Sequence, residues 1–300
     1  MLFRKHSLAK KSFAKINLSL KIVGNREDGY HLLEMVNLPL TLHDVIEISI
    51  LDGATDTYVT ADDPALNGMK SNLCHLAVEE MRNVFHFKEN FLIQIHKEIP
   101  FAAGLGGGSS NAAVVIESVN ELLNLKATHE QLLEIALKIG ADVPFFFLNK
   151  PAVLTGIGEN MKEIHVKEKY HCLLVKPTQG VSTAECYKAC DQFKHLPINT
   201  EEILKGLEEG DDSLIQKNMG NDLEAPATSI LPEIAIVLKE LTALGFTLVG
   251  MSGSGSCCFA LTTDLKKAKE AYKRLEDSDY TVRLCSTILM KRPFSLMILP

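Results

Sequence analysis

The sequence predicts an α+β protein built in two halves. Three observations carry this. Strand-like and helix-like stretches are interleaved, but without a strict βα repeat. Regular patterning breaks up at about residues 150–168, within "NKPAVLTGIGENMKEIHVKEK". The chain has 300 residues, 46% hydrophobic and 23% charged, enough for one large core or two of ordinary domain size. The break divides it into residues 1–160 and 161–300.

The first half opens on "SFAKINLSLKI", where Ala14, Ile16, Leu18, Leu20 and Ile22 share one face. Lys15, Asn17, Ser19 and Lys21 share the other, so this is a strand with one polar side. "GNREDGYH" reads as a turn. "DVIEISIL" and "FLIQIHKEI" are further strands, the latter ending at Pro100. Ser71 is placed to cap a helix through Phe85, and a second helix begins near Ser109 or Ser110 and runs to Leu123. "THEQLLEIALKIG" is a helix with Thr128 as its N-cap and Gly140 just past its end.

In the second half, "HCLLVKP" is a strand. Ser182 to Glu185 then has a capping-box pattern. Short acidic helices follow, then the helix "PEIAIVLKELTALG". Strand "FTLVG", loop "MSGSGS", strand "CCFAL", helix "DLKKAKEAYKRLE" and strand "YTVRLCSTI" complete the order. The tail "MKRPFSLMILP" is apolar and either packs back or dangles.

The net charge of −7 argues against general nucleic-acid binding, which needs dense neutralisation of phosphates. The basic "RKHSLAKK" lacks a following apolar run and does not read as a signal peptide. No stretch approaches the roughly 20 apolar residues that span a bilayer. Seven cysteines, with no C-x-x-C pair and no metal-ligand spacing, read as reduced and mostly buried, hence cytoplasmic.

The run Gly104-Leu105-Gly106-Gly107-Gly108 is the densest signal for chemistry. A flexible linker would have polar flanks, whereas this run joins a strand to an apolar helix. Strand, glycine turn and helix together present free N–H groups to an anion. Ser109 and Ser110 are placed to cap the helix, touch a phosphate or ligate Mg²⁺. No Lys-Ser/Thr follows the last glycine, which excludes a Walker A loop, and a packing turn remains the alternative. "MSGSGS" is either a hairpin turn or a second functional loop. Asp142, in "GADVPFFF", is either an N-cap or a carboxylate fixed at a cleft to orient or deprotonate a hydroxyl. Lys15 is either a solvated strand lysine or the cation of a phosphoryl-transfer site.

These motifs in this order resemble the GHMP kinases. The resemblance rests on "AKINL", "REDGYHLL", "GLGGGSSNAA", "IGADVPFF", "GIGE", "GVSTAECY" and "NDLEAPA", with "MSGSGS" after them, spread over about residues 13–260. It is close to the branch that phosphorylates a diphosphocytidyl sugar alcohol in non-mevalonate isoprenoid synthesis. The resemblance implies an N-terminal domain like domain 2 of ribosomal protein S5, a ferredoxin-like C-terminal domain and an active site between them. It implies ATP with Mg²⁺, a small-molecule substrate and a monomer or weak homodimer. Asp142 matches the catalytic aspartate, and Lys15 the lysine that pairs with it and offsets phosphoryl charge. Asn17 matches a substrate-binding asparagine, Tyr30 and His31 the pair that grips cytosine, and Tyr187 an aromatic on the other side of that base. Pro100, Phe101, Ala102, Ala103, Gly104, Leu105, Gly106, Gly107, Gly108, Ser109 and Ser110 match the ATP loop. Asn72 and Lys97 fall near the nucleoside, and Ser110 is a candidate Mg²⁺ ligand. Two alternatives keep the fold: a kinase for homoserine, mevalonate or a sugar, and a non-catalytic nucleotide-binding regulator. The cytosine-gripping residues argue against the first, and Lys15 with Asp142 against the second.

Overall fold

The alternation at Ala14–Ile22 lies within a longer strand, β1 (Arg4–Asn25), which forms an antiparallel hairpin with β2 (His31–Leu51). The structure, a computed structural model, describes residues 4–27, 29, 31–62 and 71–289. Tyr30 and the tail 290–300 therefore lie outside the described residues.

The apolar face of β1 is buried as its pattern predicts. Most of its polar face is buried too: Lys15, Asn17 and Ser19 are each at most 3% exposed, and Lys21 is partly exposed. The cause is what lies along the free edge of β1. Its amides are taken by loops rather than by a strand, since Lys15 N–H donates to Leu105 O and Asn17 N–H to Ser252 Oγ. Farther along, Leu20 N–H donates to Gly220 O and Ile22 N–H to the Asp222 carboxylate. The register of β1 on β2 shifts between Phe13 and Lys15 and again between Asn17 and Ser19. Such bulges re-aim side chains, and here they bracket Lys15 and Asn17.

The remaining strands of the first sheet are β3 (Tyr58–Ala61), β4 (Asn90–His96), β5 (Ala152–Gly156) and β6 (Asn160–Glu163). Their order is β3-β4-β2-β5-β6, with β1 on β2, and only β3 and β4 are parallel. β4 stops at His96 rather than at Pro100. The buried Asp44 carboxylate accepts from the N–H groups of Glu98 and Ile99 and pairs with Lys97, diverting the chain into the glycine turn.

The helices are α1 (Leu73–Phe85), α2 (Gly107–Leu122), α3 (His129–Ile139) and α4 (Val143–Leu148). α2 is the central one: Ala112, Ala113, Val114, Val115, Ile116 and Val119 are all fully buried in the main core. α1 is capped by Asn72 rather than by Ser71, its Oδ1 accepting from Cys74 N–H.

The second half contains β7 (His171–Lys176), α5 (Thr183–Cys190), α6 (Thr200–Glu209), α7 (Asp212–Asn218), α8 (Glu224–Ile230) and α9 (Glu233–Ala243). β8 (Leu248–Met251), β9 (Cys258–Thr262), α10 (Leu265–Leu275) and β10 (Thr281–Ser286) complete it. Its sheet is antiparallel in the order β10-β7-β9-β8. Numbering its strands from one, that order is 4-1-3-2 with helices after the first and third, the ferredoxin-like arrangement. The two halves are joined beyond the covalent link: Leu40 bridges to Thr287, Ile288 N–H donates to Pro39 O, and Leu20 bridges to Asn221. All seven cysteines are free, and six are buried. Among the described residues, no helix is long and apolar enough to cross a membrane.

Candidate active site

The glycine run folds into the turn that starts α2. Gly104 and Gly106 both have positive φ, +72° and +69°. A side chain on Gly104 would strike Ser252 O, and one on Gly106 would meet Phe146 and the Lys15 stem. Among the described residues, six helices have a side-chain cap, at Asn72, Thr128, Ser182, Asn199, Asp211 and Asp264. α2 has none: its N-cap is Gly106, and its first turn contains no acidic residue. A 16-residue helix thus presents its positive end and uncapped N–H groups of Gly107, Gly108 and Ser109 to one spot, the chemistry of an anion site.

The "MSGSGS" segment is a β-hairpin loop, closed by Ser252 N–H to Cys257 O at 3.0 Å, and it also packs on the glycine turn. Ser252 Oγ donates to Gly104 O at 2.9 Å and accepts from Asn17 N–H at 3.1 Å. One hydroxyl therefore ties together the three segments that the sequence marked separately. Asn221 holds the hairpin from behind, donating to Met251 O and Gly253 O, both at 2.8 Å. Asn221 was not singled out as a residue, although "NDLEAPA" contains it.

Lys15 and Asp142 meet beside this turn, with Nζ 3.6 Å from Oδ2. Lys15 is 3% exposed, and Asp142 keeps 36% of its side chain open to the cleft. Asp142 occupies the N-cap position of α4 but makes no capping bond, so its carboxylate is not committed to the helix. Lys15 Nζ donates to Asn17 Oδ1 at 2.6 Å, and Asn17 Nδ2 donates to Asn37 Oδ1 at 2.7 Å. This chain of bonds fixes where the ammonium points.

At the other end of the cleft, the His31 and Tyr187 rings lie 5.3 Å apart, tilted by 31°. Burial pushes the Tyr187 hydroxyl pKa up, and the Asp142 charge adds to the shift. The phenol is therefore neutral at physiological pH. His31 Nε2 also lies 3.1 Å from Asp191 Oδ1.

Lys15, Asn17, Asp142, His31, Tyr187 and Asp191 line one cleft of about 1020 Å³, whereas Ser252, Asn221 and Asn37 do not. Asn72, Lys97 and Pro100 to Ser109 line its glycine-turn end, with Phe101 61% exposed there. The Lys15 stem packs on Gly106, and Asp142 beside its ammonium is near enough to Tyr187 for its charge to act on the phenol. Lys97 is paired with Asp44, and Asn72 uses its Oδ1 on the α1 cap, so neither has its whole side chain free for a ligand. Ser110, expected as an Mg²⁺ ligand, is fully buried and takes the Ser12 hydroxyl at 2.8 Å. It does not line the cleft, whereas Ser109 and Asn111 on either side do.

Residues 72–150 match the model for the GHMP kinase N-terminal domain, and residues 203–281 match that for the C-terminal domain. The chain belongs to the GHMP kinases. Within that family it is 42% identical to a 4-diphosphocytidyl-2-C-methyl-D-erythritol kinase of Carboxydothermus hydrogenoformans, over 87% of this chain and 91% of that protein. It is 35% identical to the Clostridium tetani enzyme of the same name, over 93% of this chain and 99% of that one. A crystal structure of 4-(cytidine 5'-diphospho)-2C-methyl-D-erythritol kinase superposes with a TM-score of 0.77 at 30% identity, covering 93% of this chain and 98% of that one. A homoserine kinase from Cytophaga hutchinsonii shares the fold, with a TM-score of 0.71 at 17% identity.

A GHMP kinase uses ATP as its phosphate donor, and the uncapped α2 start fits a polyphosphate. Mg²⁺ takes hard oxygen donors and usually only one or two from protein. The Asp142 carboxylate and Ser109 hydroxyl are donors of that type on the cleft wall.

Proposed function

We propose that this chain transfers the γ-phosphate of ATP to the 2-hydroxyl of 4-diphosphocytidyl-2-C-methyl-D-erythritol, a step of non-mevalonate isoprenoid synthesis. The observation that carries the reading is the Lys15–Asp142 pair beside the uncapped start of α2. In phosphoryl transfer the protein mainly positions reactants and stabilises spreading charge. The glycine turn from Pro100 to Ser109 holds the ATP phosphates on the α2 N–H groups, with Asn72 and Lys97 toward the nucleoside. Asp142 orients the acceptor hydroxyl and takes its proton as the oxygen attacks the γ-phosphorus and the bond to ADP breaks. Lys15, held by Asn17, stays on the Asp142 carboxylate and faces the charge that develops on the phosphoryl oxygens. Mg²⁺, held by ATP oxygens with Ser109, would offset phosphate charge.

His31 and Tyr187 meet the cytosine, with Tyr30 as a third contact. Their rings are too close for a base to fit between the two, since stacking on both faces needs about 7 Å between ring planes. The base therefore lies against one ring and bonds along its edge to the other. The halves 1–160 and 161–300 both supply the site, the second through Thr183, Tyr187, Asp191 and Gly253 among others. The cytoplasm suits seven unpaired thiols, and the reading needs no partner beyond a monomer or weak homodimer.

The test is purified protein with ATP, Mg²⁺ and the cytidyl alcohol, read by ³¹P NMR and mass spectrometry. A monophosphorylated product with one ADP per turnover is expected. ADP release that does not depend on the cytidyl alcohol overturns the assignment.

A further inference from the structure

The base end of the cleft holds a cluster of which the proposed reaction uses only His31. His31 Nε2, Cys190 Sγ and Asp191 Oδ1 converge there from segments 159 residues apart. His31 begins β2, Cys190 ends α5, and Asp191 is the C-cap of α5. The separations are 3.3 Å for N···S, 3.1 Å for N···O and 3.9 Å for S···O.

Those lengths have a simple meaning. Zinc bonds are about 2.3 Å to sulfur, 2.0–2.1 Å to nitrogen and 2.0–2.2 Å to oxygen. At tetrahedral angles they put the ligand atoms about 3.6 Å (N···S), 3.4 Å (N···O) and 3.6 Å (S···O) apart. Each observed edge is within about 0.3 Å of its counterpart. The three atoms outline one face of a zinc tetrahedron before any ion is added. His31 and Asp191 line the cleft and Cys190 lies behind them, so a fourth vertex faces the cleft, where water can complete the set.

We propose that His31, Cys190 and Asp191 form a Zn²⁺ site that inhibits the enzyme by withdrawing His31 from the substrate base. The thiolate–imidazole–carboxylate set selects zinc over magnesium, which prefers oxygen donors alone. The ion is thus distinct from the Mg²⁺ that accompanies ATP. The Cys190 thiol is raised by burial and next by the Asp191 charge, so it carries a proton before metal arrives. Binding displaces that proton and forms the S–Zn bond. The thiol's contact with Tyr187 O, at 2.9 Å, is given up in exchange. The metal site stands on geometry alone, whereas its inhibitory effect rests on the reading that His31 meets the cytosine.

Reduced, metal-stripped full-length protein is titrated with Co²⁺ and then Zn²⁺. One Co²⁺ per chain with a thiolate-to-cobalt charge-transfer band is expected, bleached by Zn²⁺. Cys190→Ser should abolish the band. Asp191→Asn, an exposed change that preserves folding, should weaken zinc binding by at least about tenfold, the lower end of what losing even an outer-shell partner costs. No band in the wild type, or an undiminished band in Cys190→Ser, overturns the site. In kinetics at saturating Mg²⁺, Zn²⁺ should raise KM for the cytidyl substrate without raising that for ATP, and Cys190→Ser should resist it. A wild-type cobalt band with an unmoved cytidyl KM keeps the metal site but overturns both the inhibition and the contact between His31 and base.

Discussion

Replacing Gly104 with alanine puts a methyl carbon 2.0 Å from the carbonyl oxygen of Ser252. Real contacts of this kind essentially never fall under 3.0 Å, so the two loops must part by at least about 1 Å. The obstacle is backbone, so no rotamer change relieves it. The φ of +72° adds a second penalty, about 1–2 kcal/mol for a residue with a Cβ in the left-handed region. Parting the loops also breaks the bond from Ser252 Oγ to Gly104 O, worth about 1 kcal/mol. The total, about 2–3 kcal/mol, corresponds to a Tm roughly 5 °C lower for a chain of this size. The functional effect is larger. Ser252 also holds the Asn17 amide, so the displacement reaches the Asn17–Lys15 bond and the start of α2 together. Misplacement by about 1 Å costs roughly 100-fold in rate. Thermal melting and steady-state kinetics on Gly104→Ala check both numbers. A variant with wild-type Tm and kcat/KM would refute the claim that the close approach of these two loops sets the geometry of the site.

Asp142→Asn should keep ATP affinity, measured by calorimetry, and lower kcat by about 10²- to 10⁴-fold, the usual worth of a positioned acid or base; unchanged kcat removes Asp142 from the chemistry. Tyr187→Ala should raise KM for the cytidyl substrate roughly 5- to 150-fold, matching about 1–3 kcal/mol for one base–aromatic stack, and leave KM for ATP unmoved. Glu224, at the start of α8, has its carboxyl pKa raised by burial, partly opposed by a backbone bond at Met251. The folded state therefore holds this proton more tightly than the unfolded chain. The resulting stability is complete below the ordinary value of 4.5 and is lost as pH rises through the raised one. Glu224→Gln should thus raise Tm at neutral pH but not at about pH 4, and an equal change at both would contradict the sign.

Most of the secondary structure was legible because local signals and tertiary needs agree. Thr128 caps α3 and Asp264 begins α10 where their sequences place them. The polar face of β1 was legible as a face but not as a buried one. Alternation normally means one wet side, and nothing near Lys15 in sequence announces that Leu105 and Ser252 cover it. The end of β4 was missed for a related reason, since the Asp44 carboxylate that stops the ladder lies 54 residues from Glu98. The order of the glycine motifs pointed to the site. What holds it in place, the Ser252 hydroxyl and the Asn221 amide, depends on long-range contacts that no local pattern carries. The same is true of His31 and Cys190.

The first two strands form more than the sheet of one half. Along its free edge, β1 is joined to Gly220, Asn221 and Asp222, while β2 is joined at Pro39 and Leu40 to the segment after β10. The hairpin acts as a rivet driven through both halves at two points. A clamshell motion, in which two lobes swing about a single hinge, would have to tear out one of these attachments on every turnover. Substrate entry and product exit then need no swing of one half against the other, so stiffening either attachment should leave turnover unchanged.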